Sequence, residues 1–149
     1  MYNTRKNHYR TPTAELFVRT ECNKVFRFET LIGHSLDEGR ALDLSFLIDY
    51  ARAINSYCDA LDLFDNYDSE REEYEKALRI LSQYGDSHPE QFNIRMTTFI
   101  KYAEVLCKQG NFKESCHVLK EAISYMMNNI NALTSKTIDT RFLLQQIHP

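Results

Sequence analysis

At 149 residues, with 43% hydrophobic and 26% charged residues, the chain is sized and composed for a single globular domain with a real core. Four glycines and three prolines allow few turns and no flexible linker, which favours long helices over many short strands. A net charge of −3 argues against nonspecific nucleic-acid binding by the whole chain, and no apolar run approaches the roughly 18 residues of a membrane span.

Residues 1–12 read as a polar, basic tail that lacks the apolar core of a secretory signal. Its Arg5, Lys6 and Arg10, beside His8 and Tyr9, are candidate contacts for nucleic acid or an acidic partner. The stretch "ELFVRTECNKVFRFETLI" (15–32) leaves two readings open. Val18, Cys22, Val25 and Ile32 form a helical stripe, yet "LFVRTE" and "KVFRFETL" are β-branched and aromatic enough for a β-hairpin over 14–32. The helix is preferred because everything downstream is helical, and Gly33 is expected to end it.

From about residue 41, Leu44, Leu47, Ile48, Ala51, Ile54, Cys58, Leu61 and Phe64 recur at three- and four-residue steps, which predicts a long amphipathic helix. "DNYDS" breaks it, and Ser69 with Glu72 is expected to cap the next helix, whose apolar face carries Tyr74, Ala77, Leu78, Leu81 and Tyr84. Ser87, Pro89 and Glu90 are a further start signal. The helix that follows, about 90–109, is expected to bury Phe92, Ile94, Phe99, Tyr102, Ala103 and Leu106. Gly110 supplies a left-handed turn residue, and Asn111 with Glu114 caps a helix to about 128. A closing helix at about 136–147 would turn Ile138, Phe142, Leu143 and Ile147 inward. Short loops make sequential helices antiparallel neighbours. The expected fold is therefore all-α, one domain over 13–149 built of stacked antiparallel helical hairpins.

Few residues suggest chemistry. None of the five histidines forms an HxxxH pair, and Cys116 and His117, adjacent on a helix, point about 100° apart. "DNYDSEREEYEK" (65–76) has no glycine at its sixth position and ends in Lys76, unlike a calcium-binding loop. Its acids are explained by a loop and a first helical turn, where the macrodipole favours negative charge. There is no phosphate-cradling glycine loop. Cys22, Cys58, Cys107 and Cys116 form no CxxC and lie among apolar neighbours, which reads as reduced, core-packing cysteine in a cytosolic or nuclear protein. No cofactor or metal is expected, and no catalysis. Charge is unevenly placed: residues 37–90 carry fourteen Asp and Glu against five Lys and Arg. That segment is either a solvated acidic face, a dock for a basic partner, or one half of a head-to-tail self-pairing.

An internal repeat is visible on aligning 110–122 with 74–84: Phe112 matches Tyr74, Ser115 matches Ala77, Leu119 matches Leu81 and Ala122 matches Tyr84. With Phe99, Tyr102, Ala103 and Leu106 in the preceding helix, the pattern resembles the tetratricopeptide repeat, in units of about 41–89 and 90–128. The second unit is the better match, although Met127 stands where proline is usual. The small-residue positions Ala77 and Ser115 are 38 apart, against the roughly 34 of the family. The resemblance implies a groove on the first-helix side that binds an extended peptide or a partner helix, with Thr97, Ile100, Lys101, Glu104 and Lys108 facing it. Ile100 and Glu104 depart from the carboxylate clamp of the chaperone-adaptor subtype. The implied function is a protein–protein interaction adaptor or assembly subunit, an open end of the short array being coverable by a homodimer. The alternative is a helical nucleic-acid-associated regulator acting through the basic N-terminal segment.

Overall fold

Among the described residues every element is an α-helix, and the reasons are local. The structure, a computed structural model, describes residues 11–83 and 89–147, with side chains as far as residue 130. Helix α1 (Pro12–Asp37) starts where the Thr11 side chain accepts the Ala14 N–H and Pro12 occupies the first turn. The hairpin reading of 14–32 is thereby set aside: no strand occurs among the described residues, and Cys22-Asn23 offers no glycine for a two-residue turn. Val25 is buried, and Val18, Cys22 and Ile32 are half-buried beside it. Gly33 does not end this helix. A single helical glycine costs only about 1 kcal/mol, and the chain turns later, at Gly39 with φ +69°.

Helix α2 (Leu44–Asp62) is capped by the Asp43 carboxylate, which accepts the Ser45 N–H. Its predicted stripe is buried from Leu47 to Leu61, and Phe64 lies half-buried in the following turn. Helix α3 (Tyr67–Ser82) begins earlier than the expected Ser69–Glu72 cap, because Asp65 adopts the left-handed conformation (φ 53°) that reverses the chain. The Tyr67 hydroxyl donates to that Asp65 carboxylate at 2.8 Å. Tyr74, Ala77 and Leu81 form its buried face. The start signal at Ser87 and the core position Tyr84 lie outside the described residues.

Helices α4 (Pro89–Lys108) and α5 (Phe112–Ile147) are joined at Gly110, whose φ of +79° explains the glycine. Asn111 then donates to Glu114 at 2.6 Å. The separate closing helix expected at 136–147 is instead the end of α5. No glycine or proline occurs between Gly110 and Pro149, so nothing in the backbone chemistry interrupts it. The inward side chains expected at Ile138, Phe142, Leu143 and Ile147 lie outside the described side chains.

Each helix packs against the next in antiparallel fashion, and α2 also touches α4. Arg52–Glu90, Asn55–Thr98, Lys101–Asp59 and Lys108–Asp62 all bridge α2 and α4, and the numbers rise together in both helices. The two are therefore parallel neighbours, as in stacked hairpins. Lys76 reaches Glu29 at 2.7 Å and Arg71 reaches Glu114 at 2.7 Å, which tie α1 to α3 and α3 to α5. One apolar cluster runs through all five helices, from Val25 by Tyr50, Cys58 and Tyr74 to Phe99, Tyr102 and Tyr125. Small residues sit where helices close on one another: Ala77, Ala103 and Ser115 are all buried. No helix among the described residues is long and apolar enough to cross a membrane.

Candidate functional site

The inner face of α4 buries Ile94, Thr98, Phe99, Tyr102, Ala103, Val105 and Leu106. Residues three or four apart on the opposite side, at 97, 100, 101, 104 and 108, then form an outward ridge. Ile100, Lys101, Glu104 and Lys108 are brought together there, between two hollows. Thr97 is exposed on the same ridge but lines neither hollow.

On the α5 side lies an apolar groove of about 320 Å³, floored by Ile100, Ala103, Cys107, Ser115 and Leu119, with Glu104 and Lys108 on its rim. Ile100 remains 46% exposed and Leu119 41%. This corrects the expectation of core-packing cysteines and sets apart the two aligned faces. Phe112 and Leu119, aligned with the buried Tyr74 and Leu81, are open to solvent, and so are Cys107 and Cys116; of the four cysteines only Cys58 is fully buried. The reason is position in the stack. Helix α3 is covered by both α2 and α4, whereas α5 is packed on α4 through Val118, Ala122 and Tyr125. Its second apolar stripe, running through Leu119, Ile123, Met127 and Ile130, stays exposed.

On the other side of the ridge is a small polar hollow of about 80 Å³ where α2, α3 and α4 meet. Lys101 donates to Asp59 at 2.9 and 3.2 Å, and Lys108 donates to Asp62 at 2.6 Å. Burial works against the Lys108 charge, but the bond to Asp62 more than offsets it and raises its pKa. Lys108 also stands 5.6 Å from the Tyr67 ring centroid. Glu70 lines this hollow from α3, is only 3% exposed, and shares a hydrogen bond with the Asp62 side chain. Burial first, and the neighbouring Asp62 carboxyl second, push its pKa up to about 8. Burial likewise raises the Cys58 thiol and the Tyr74 hydroxyl, both close to Glu70.

Asp59, Asp62 and Glu70 were not among the residues singled out from the sequence. The signal was present for Glu70, which stands in step with Tyr74, Ala77 and Leu81 and so occupies a core position of α3. Asp68 and Glu70 both fall in the first turn of α3, as expected, but Glu70 is buried rather than solvated. Arg5, Lys6 and Arg10 lie outside the described residues. The described histidines His34 and His117 are exposed, and His117 pairs with Glu121 at 2.9 Å. Among the described residues no three His, Cys, Asp or Glu side chains converge as metal ligands would. One side of the ridge offers carbon, the other four carboxyls against two ammonium groups. No family model, curated protein or solved structure matches this chain.

Proposed function

We propose that this chain is a non-catalytic adaptor or assembly subunit, organised like a short tetratricopeptide array, that captures an amphipathic segment of a partner protein along α4. The observation that carries the reading is the α4 ridge, with exposed Ile100 and Leu119 over an open apolar groove on one side and a charged hollow on the other. A soluble chain gains by covering such carbon, and helical grooves of this kind take apolar anchors spaced by one turn. The parallel alignment of α2 and α4 supports the repeat reading, since first helices of successive hairpins lie side by side in such arrays. A cytosolic or nuclear setting goes with the unpaired cysteines.

The test is quantitative affinity purification from the source cell with the native chain, Ile100→Asp and Glu104→Lys, each first shown to melt like the native protein. A protein recovered by the native chain and lost from both variants is the expected result. If both variants retain every native partner, the groove reading is wrong.

A further inference from the structure

We infer that the captured segment is an amphipathic helix that takes the place of the next helix in the stack. Its acidic edge lies against Lys113 and Lys120 of α5, and a basic residue on its other edge meets Glu104 of α4. This rests on the adaptor reading and adds the conformation, direction and charge of what is captured.

The stack itself shows what covers such a face. Tyr74 and Leu81 of α3 are closed over by α4, where the Tyr74 ring meets that of Tyr102 and Leu81 packs with Ile94. Phe112 and Leu119 hold the aligned places on α5 and stay 65% and 41% exposed, with Ile123, Met127 and Ile130 continuing the stripe. From Phe112 to Ile130 the stripe runs along about 27 Å of helix. Through Leu119 it is continuous with the groove floored by Ile100 and Ala103. A helix lying there repeats what α4 does to α2 and α3, running parallel to α4 and antiparallel to α5. Its backbone groups are satisfied within itself, which suits a face that offers side chains alone.

Charge decides its edges. Lys113 and Lys120 flank the stripe on the side away from α4, with Cys116 between them at the stripe's outer margin. Neither lysine has a hydrogen bond or ion pair among the described residues. The acids of α5 are taken elsewhere: Glu114 binds Arg71 and Glu121 binds His117. The outer wall is therefore cationic and matches carboxylates two turns apart. On the inner wall Lys101 and Lys108 are held by Asp59 and Asp62 of α2, which leaves Glu104 without a hydrogen bond among the described residues. Glu104 meets the incoming helix as Asp59 meets Lys101, and so takes a lysine or arginine. A second copy laid antiparallel on the stripe, Leu119 over Ile123, sets Lys120 against its own counterpart, and like charge disfavours it.

The experiment is fluorescence anisotropy of dye-labelled three-heptad peptides, kept dilute enough to stay monomeric and titrated with the full chain. The first peptide has Leu and Ile at a and d, Glu at e and Lys at g, and matches both walls when antiparallel to α5. The second exchanges Glu and Lys, and the third replaces Leu and Ile by Ser. Saturable binding of the first, weaker binding of the second and none of the third is the expected result. Lys113→Glu with Lys120→Glu should weaken the first about tenfold, and Glu104→Lys should weaken it as well, while Arg19→Glu on α1 should leave it unchanged. All four positions are exposed, so each variant is expected to melt like the native chain. The proposal is overturned by no saturable binding of the first peptide, equal binding of the second, or indifference to the lysine reversals. A native chain that sediments as a dimer dispersed by Leu119→Asp overturns it too. Such a failure alongside an intact Ile100→Asp effect on partner recovery removes the helical and charge specificity alone. Success here with partner recovery unmoved by Ile100→Asp and Glu104→Lys removes the adaptor reading and leaves a helix-binding face.

Discussion

Ser115 donates a 2.8 Å hydrogen bond from its buried hydroxyl to the backbone carbonyl of Ala103, joining α5 to α4 beside the apolar groove. The Cys107 Sγ lies 3.2 Å from the Ser115 hydroxyl oxygen. The small side chains on both helices let the backbones come within reach of that bond. Ser115→Ala should cost roughly 0.5–1.5 kcal/mol, the worth of one hydrogen bond, whereas Ser115→Leu should cost roughly 1–3 kcal/mol through overpacking. Urea titrations of both variants check the order. A stabilised Ser115→Leu would show that α4 and α5 are held apart by something other than side-chain size.

Phe99 and Tyr102 occupy the inner face of α4, where Phe99 meets Tyr125 and Tyr102 meets Tyr74. Tyr102 also donates to Glu75 at 2.7 Å. Removing either ring should cost about 3–5 kcal/mol, which is a large share of the stability of a domain this size. The double variant Phe99→Ala with Tyr102→Ala should be unfolded at room temperature, as read by far-ultraviolet circular dichroism. Glu104→Lys, on the opposite face of the same helix, should leave the spectrum and the melting point near native.

Burial of Glu70 gives stability a pH dependence of definite sign. The folded carboxyl titrates near 8 and the unfolded one near the ordinary 4.5. Between those values the folded chain holds more protons, so stability is fully present below the lower value and is lost as pH rises through the upper. At about 1.4 kcal/mol per pH unit across that interval the loss should be roughly 3–5 kcal/mol, and Glu70→Gln should flatten it. Urea midpoints at mildly acid and mildly alkaline pH measure the slope. An equal slope in Glu70→Gln would assign it to another group.

Thiol labelling reports the open side of the stack. Cys107 and Cys116 are exposed and should react with iodoacetamide in the native protein, while Cys58 should react only on unfolding. Burial, its largest cause, and the nearby Glu70 carboxyl raise the Cys58 thiol and keep it unreactive even when reached. Mass spectrometry of timed samples separates the sites. A partner seated in the groove should slow labelling at Cys107 more than at Cys116, because only Cys107 lines that groove.

Helical periodicity made the stripes of α2, α3 and α4 legible from residue order, since an apolar residue every three or four positions has no other economical use. The left-handed turn at Gly110 was equally plain, because few other residues adopt that conformation cheaply. Helix ends were less so. Asp65 turned the chain without a glycine, and α5 ran on past the expected break, since capping residues permit an end without compelling one.

Local pattern, then, was enough for the class of fold, because it follows from the 3.6-residue period of each helix; the residues of the α4 ridge were named through the resemblance to the tetratricopeptide repeat. Whether an apolar stripe is covered depends on how many helices flank it, a property of the stack that no single helix encodes. Tyr74 and Leu81 are therefore buried while Phe112 and Leu119 are open. The same holds for the hollow: Asp59, Asp62, Glu70 and Glu104 come from three helices, and only their packing brings four carboxyls to two lysines. Charge in the sequence showed an acidic segment, and the meeting of three helices concentrated part of it into one small hollow on the α4 ridge.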